Sequence, residues 1–164
     1  MSFRLHERDP GDAVEQAFFR IQRERMVDMP ILNPVLNVEA VDFQRWQGHW
    51  LGMVVTPWCM SLLLLPGSTE NWVSTGANKR RFVNFPAGDF AFLGSHEPEL
   101  GDYQSCALFS PMGKFTTQTE AVMTARASIS GLLTAPDSSM PVTDSNTEVP
   151  SLSRRRFFTL RRAR

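Results

Sequence analysis

Cysteine is scarce in this chain. It holds two, Cys59 and Cys106, and no CxxC pair, so neither a zinc ribbon nor a rubredoxin-type iron site can be assembled. Both lie in apolar, strand-like runs and read as buried free thiols. GxSxG, HExxH, Walker A and GxGxxG motifs are absent too, which removes the usual signatures of hydrolases, zinc peptidases and nucleotide-binding enzymes. The three histidines, His6, His49 and His96, stand far apart. Also missing is a run of about 20 apolar residues, the length a spanning helix needs. The most apolar segment, Trp50 to Leu65, is interrupted by Pro57. The opening MSFRLHERDPGD has no apolar stretch and does not resemble a secretory signal. The expectation is a soluble protein kept in the cytoplasm.

Acidic residues are absent from the last eleven positions. The chain has 17 basic and 17 acidic residues. Arg154, Arg155, Arg156, Arg161, Arg162 and Arg164 lie in the tail, and every acid precedes it. Residues 1–153 therefore carry −6 and residues 154–164 carry +6. The formal neutrality is a cancellation between an acidic body and a basic tail. Such a tail seeks an anionic partner: lipid, another protein, nucleic acid or the body itself. Nucleic acid is the weakest of these, because the body is acidic and no nucleic-acid-binding motif accompanies it.

What is present reads as one α+β domain. Residues 12–28 predict a helix, with Ala13, Val14, Ala17, Phe18, Ile21 and Met26 on one stripe. Asp12 and Glu15 suggest a capping box, and Pro30 ends the helix near Met29. Residues 35–43 alternate as a strand with a bulge near Ala40. WLGMVVT (50–56) and WCMSLLLLP (58–66) are two more strands, and Pro57 between them marks an edge, a bulge or a turn. Residues 71–89 are mixed, with a basic cluster at Lys79, Arg80 and Arg81 and a turn at PAG (86–88). FAFLGS (90–95) and YQSCALFSP (103–111) predict a hairpin with a long acidic connection, 96–102. Residues 116–135 predict a second helix, capped by Thr117 and Glu120, with Val122, Ala125, Ile129, Leu132 and Leu133 inward. Strands joined without intervening helices favour an antiparallel sheet, and the two helices are expected to cover one face of it. The domain is placed at 1–135. Residues 136–164 are read as a flexible linker and an Arg-rich tail.

Few side chains suggest chemistry. His49, between Trp46 and Trp50, reads as a core-edge histidine. Glu97, Glu99 and Asp102 cluster in the acidic connection and suit arginine recognition, because guanidinium meets carboxylate in a bidentate fork. Four tryptophans are present. Trp46, Trp50 and Trp72 are expected in the core. Trp58, beside Pro57, is the candidate for recognising a partner.

The stretches NPVLNVEAVDF (33–43), WLGMVVTPWCMSLLLLPG (50–67), FPAGDFAF (85–92) and YQSCALFSPMGKF (103–115) resemble, in that order and spacing, the HybE/HupJ/HoxT family of NiFe-hydrogenase assembly chaperones. The resemblance implies a cytoplasmic, non-enzymatic maturation factor. Its partners would be the hydrogenase small or large subunit and other maturation factors. The small-subunit precursor, with its twin-arginine export signal, is the expected client. Some relatives in the HupJ group carry a rubredoxin-type cysteine quartet. This chain has two cysteines, so an iron role does not carry over, and no cofactor is expected.

The tail itself resembles that signal. Ser153, Arg154, Arg155, Arg156 and Phe157 match the first five positions of S/T-R-R-x-F-L-K, and Phe158 stands in for the leucine. The hydrophobic segment of a working signal does not follow. Two uses stay open. The tail mimics the client and occupies the binding site intramolecularly, or it is a solvated basic segment giving weak association with anionic lipid or with the body. A membrane-tethering adaptor, and an enzyme acting on hydrogenase cofactor precursors through the acidic loop and His49 or His96, are the alternative functions.

Overall fold

The computed structural model describes residues 4–135. The linker and tail, with Arg154, Arg155, Phe157 and Phe158, lie outside the described residues. The elements are α1 (Gly11–Arg25), β1 (Glu39–Trp46), β2 (His49–Val55), β3 (Met60–Leu65), β4 (Arg80–Phe85), β5 (Gly88–Glu97), β6 (Gly101–Phe109) and α2 (Gln118–Leu132). All six strands form one antiparallel sheet, in the order β1-β2-β3-β6-β5-β4. The order resolves into two local meanders, β1-β2-β3 and β4-β5-β6, joined along β3 and β6.

The α+β fold with an antiparallel sheet agrees with the sequence. The helices, however, cover opposite faces, not one. The reason lies in β2 and β3, which sit inside the sheet and are apolar on both sides. Leu51, Met53, Val55, Met60, Leu62 and Leu64 pack in one core with Ala121, Val122, Ala125, Ile129 and Leu132 of α2. Val54, Leu63 and Leu65 pack in the other, with Val14, Ala17, Phe18 and Ile21 of α1. A strand apolar on both faces needs a layer on each. Each of these leucines contributes about 2 kcal/mol by leaving water. The sheet is curled toward α2: Trp46 of edge strand β1 and Phe85 of edge strand β4 meet at 4.7 Å between ring centroids.

Several local expectations shift. α1 ends at Arg25, and Pro10, not Asp12, precedes its first turn with no side-chain cap. Glu15 is drawn away from a capping box because its Oε2 accepts the Ala40 N–H at 2.9 Å. β1 starts at Glu39, and its register breaks between Val41 and Gln44, with Asp42 at φ 55°. The bulge is real but lies just past Ala40. β4 is a strand that the basic residues of 79–81 disguised. The acidic connection is short, because the strands run on until Glu97 faces Gly101. The cap of α2 is at Thr117 as expected, with the Glu120 N–H donating to Thr117 Oγ1 at 3.0 Å. The return bond goes one residue further back, the Thr116 N–H donating to Glu120 Oε1 at 2.8 Å. Cys59 and Cys106 are free but only partly buried. Burial pushes the Cys106 thiol up to about 12, so it stays protonated. Among the described residues no helix is long and apolar enough to cross a membrane.

Candidate protein-docking surface

The acidic β5–β6 hairpin is already occupied by the chain's own arginines. Arg20 of α1 donates through Nη2 to Glu97 Oε1 at 2.6 Å and through Nε to Glu99 Oε2 at 2.7 Å. Arg25 adds a bond from Nη1 to Glu97 Oε2 at 2.9 Å. Glu97 is buried. Burial opposes its charge, but the Arg25 and Arg20 hydrogen bonds prevail and hold it below the usual carboxylate range. The Arg20 hydrogen bonds take Glu99 down to about 2. Asp102 pairs instead with His96 at 2.8 Å. The sequence-predicted arginine acceptors thus fasten α1 to the sheet.

This network gives a pH dependence with a definite sign. A carboxylate depressed in the folded state stabilises it fully above the unfolded pKa, about 4.5 for these groups. For Glu99 that contribution is lost as pH falls toward about 2, and for Glu97 it is likewise lost below the unfolded value. Burial also depresses His6 and His49 below 6.5, so the unfolded chain takes those protons first. The melting temperature is expected to fall in two stages on acidification, from about pH 6.5 and again below about pH 4.5. Glu99→Gln lowers the neutral-pH value and flattens the second stage. Melts followed by circular dichroism between pH 8 and 3 check this, and a flat profile would refute it.

The histidines do not share a site. His49 is buried on β2, its Nδ1 accepting the Gly67 N–H at 3.1 Å and its ring edge-on to Trp72. His96 is on β5, and β3 and β6 lie between the two strands. Trp46 and Trp72 pack with the α2-side core and Trp50 with the α1-side core, each partly buried. Trp50 Nε1 also donates to His6 O at 2.7 Å.

Pro57 and Trp58 form the turn between two central strands, not an edge. The Thr56 N–H donates to Cys59 O at 2.9 Å, and Thr56 Oγ1 accepts the Cys59 N–H at 2.9 Å. Pro57 is buried, and Trp58, half-buried, stacks on Phe18 with centroids 6.5 Å apart.

Two other loops share that end of the sheet, and Asn33 joins them. Its N–H donates to Pro57 O at 2.9 Å. Its side-chain amide donates to Met112 O at 2.9 Å and Phe115 O at 2.8 Å, and Oδ1 accepts the Val35 N–H at 3.1 Å. NPVL, TPW and SPM, distant in sequence, converge here. The segment held in this way is apolar and exposed at Val27, Met29, Ile31 and Val35, with Val27 66% accessible. Apolar side chains gathered on one exposed loop make it the candidate protein-contact surface of the described residues. Periodicity could not find them, because the segment is neither helix nor strand; apolar residues on both sides of the helix-ending Pro30 were the available signal.

Beside β1 lies a cleft of about 360 Å³ lined by Asp9, Gly11, Asp12, Glu15, Ala40, Asp42 and Phe43. Asp9 Oδ1 accepts the Gly11 N–H at 2.8 Å, and Arg126 reaches Asp42 at 3.5 Å. Among the described residues no arginine lines this cleft, and the guanidinium that reaches it, Arg126, meets only Asp42, so its carboxylates are less occupied than Glu97 and Glu99.

The family model of the NiFe-hydrogenase assembly chaperone HybE matches residues 9–160. The chain belongs to the HybE family. A hydrogenase expression/formation protein HupJ of Bradyrhizobium diazoefficiens is 37% identical over 147 residues, covering 90% of this chain and 85% of that one. A probable rubredoxin HupJ of Rhodobacter capsulatus is 37% identical over 110 residues, 67% of this chain but only 40% of the longer relative. The solution structure of HybE from Escherichia coli superposes with TM-score 0.66 at 25% identity, covering 92% of this chain and 93% of that one. Membership in the HybE family makes this protein a hydrogenase assembly chaperone, with hydrogenase-related partners.

Proposed function

We propose that this HybE-family chaperone acts in the cytoplasm, without catalysis, by holding a hydrogenase small-subunit precursor through its twin-arginine signal before export. The observation that carries this reading is the exposed apolar loop Val27–Val35, pinned by Asn33 beside the Pro57–Trp58 turn. A twin-arginine signal has an apolar part and a cationic part. The loop suits the first, and the acidic cleft beside β1 suits the second. The large subunit is the other client this surface could serve.

The test is fluorescence anisotropy with a labelled small-subunit signal peptide, titrated with the full chain and with a version ending at Pro150. A peptide with both arginines changed to lysine is the control. Val27→Asp with Ile31→Asp, and Asp12→Asn with Asp42→Asn, are each expected to raise Kd about tenfold, or about 1.4 kcal/mol. Glu99→Gln should leave Kd unchanged, because Arg20 already holds that carboxylate. Tighter binding by the shortened chain would support mimicry of the signal by Arg154, Arg155, Phe157 and Phe158. No binding by either chain would exclude the signal as ligand and turn attention to a folded subunit surface.

A further inference from the structure

The two edges of the sheet are built differently. β1 breaks its pairing between Val41 and Gln44, carries Asp42 at φ 55°, and gives its Ala40 N–H to Glu15. Bulges and inserted charges are the means by which sheets discourage a further strand. β4 is regular: its register with β5 runs unbroken from Arg80↔Leu93 to Phe85↔Gly88. Arg81 is turned inward, donating from Nε to Gln104 Oε1 at 2.8 Å. Val83 and Phe85 point into the α2-side core. Alternation therefore puts Arg80, Phe82 and Asn84 on the opposite face. All three are exposed, and Phe82, at 72%, is the most accessible large apolar side chain among the described residues.

Among the described residues, no strand pairs with the outer side of β4. The Gly94 N–H donates to Lys79 O at 2.9 Å. Antiparallel ladders alternate, so Arg81, Val83 and Phe85 bond toward β5, while Arg80, Phe82 and Asn84 direct N–H and C=O to the free edge. A second β4 strand can meet that edge about a two-fold axis perpendicular to the sheet. Such an axis keeps the α1 faces of both copies on one side, so facing residues must have equal parity. The register centred on residue 82 sets Phe82 against the second copy's Phe82, and Arg80 against the second copy's Asn84. Asn84 Nδ2 already donates to Asp89 Oδ1 at 2.7 Å. Each Arg80 guanidinium then comes beside a carboxylate of the other copy, and no like charges face each other.

We propose that β4 is a self-association edge, through which two copies of this chain pair antiparallel with their Phe82 rings together on the axis. Cross-strand aromatic and opposite-charge pairs stabilise such a register. The edge groups of Arg80, Phe82 and Asn84 gain the ladder partners that no described strand of one copy supplies.

The experiment is sedimentation velocity on the full chain over a wide concentration range. A reversible monomer–dimer equilibrium is expected. Phe82→Lys and Phe82→Glu each place like charges on the axis and should raise the dimer dissociation constant about tenfold or more. An equimolar mixture of the two should restore association, because lysine then faces glutamate. Melting temperatures should stay near the parent value, since the side chain faces solvent. Phe82→Cys should cross-link on oxidation, because facing residues of a hydrogen-bonded pair lie about 5.5 Å apart, within disulfide reach. A full chain that stays monomeric, or a dimer indifferent to Phe82→Lys with no Phe82→Cys cross-link, would overturn the proposal. A monomeric full chain whose Pro150-terminated version dimerises would assign the edge to the chain's own C-terminal segment, and overturns it equally.

Discussion

Replacing Gly94 with alanine is expected to destabilise the domain by about 3 kcal/mol. Gly94 lies buried in the middle of β5, and the backbone of residues 75–76 crosses directly over it. A Cβ would be driven into the carbonyl oxygens of Thr75 and Gly76, well inside van der Waals contact. Neither oxygen is the tip of a flexible side chain. Relief requires the β3–β4 connection to lift, and that connection is anchored: Gln104 Nε2 donates to Val73 O at 2.7 Å, and Trp72 packs on the α2-side core. The expected shift in melting temperature is about 10 °C for a domain of this size. Gly113, where a Cβ meets nothing within 4 Å, is the matched control, and its alanine variant should differ from the parent by under about 0.5 kcal/mol. Urea titrations of both variants settle the matter through the midpoints. Equal midpoints would refute the close crossing.

Asn33→Ala should cost about 2 to 3 kcal/mol, since it strips donors from two part-buried carbonyls and an acceptor from the Val35 N–H. Asn33→Asp distinguishes bonding from shape. The carboxylate keeps the acceptor toward Val35 but aims oxygen at the carbonyls of Met112 and Phe115. It should be at least as damaging as alanine at neutral pH, and should recover in part in acid as the carboxyl gains a proton. Both variants should weaken binding of the signal peptide, because the apolar loop loses its anchor while its own side chains are untouched. Melts at two pH values, together with hydrogen exchange at Val35, test the pair. An Asn33→Asp variant as stable as the parent at neutral pH would remove the amide's role as a donor.

How much of this was legible depended on whether a residue's environment was local. β2 and β3 were plain because burial on both faces writes itself as continuous apolar sequence. The cap of α2 was plain because Thr117 and Glu120 are neighbours. β4 was hidden, since RRFVNF buries only Val83 and Phe85, an exposed Phe82 breaks the apolar alternation, and one of its two arginines, Arg81, faces inward. The placement of the helices on opposite faces required knowing that β2 and β3 are interior strands, which follows from the β3–β6 pairing and not from either strand alone. At the candidate site, the carboxylates of Glu97 and Glu99 were conspicuous, but their partners were not. Arg20 lies 77 and 79 residues away from them and Arg25 lies 72 from Glu97, so pairing within the chain had no sequence signature. The same holds for Asn33, which reads as a loop residue until the turn at Pro57 and the segment after β6 are brought beside it.

The division of the sheet into two meanders has a consequence for how the chain reaches this state. Within β1-β2-β3 and within β4-β5-β6 each pairing joins neighbours in sequence, so either unit can form with little loop closure. The seam is different: Leu62 faces Cys106 and Leu64 faces Gln104, and closing it brings together strands separated by the whole of β4 and β5. The entropic cost of a long loop is met once, at that seam. Side chains along it set the folding rate, while those confined to the outer hairpins chiefly set the rate of unfolding.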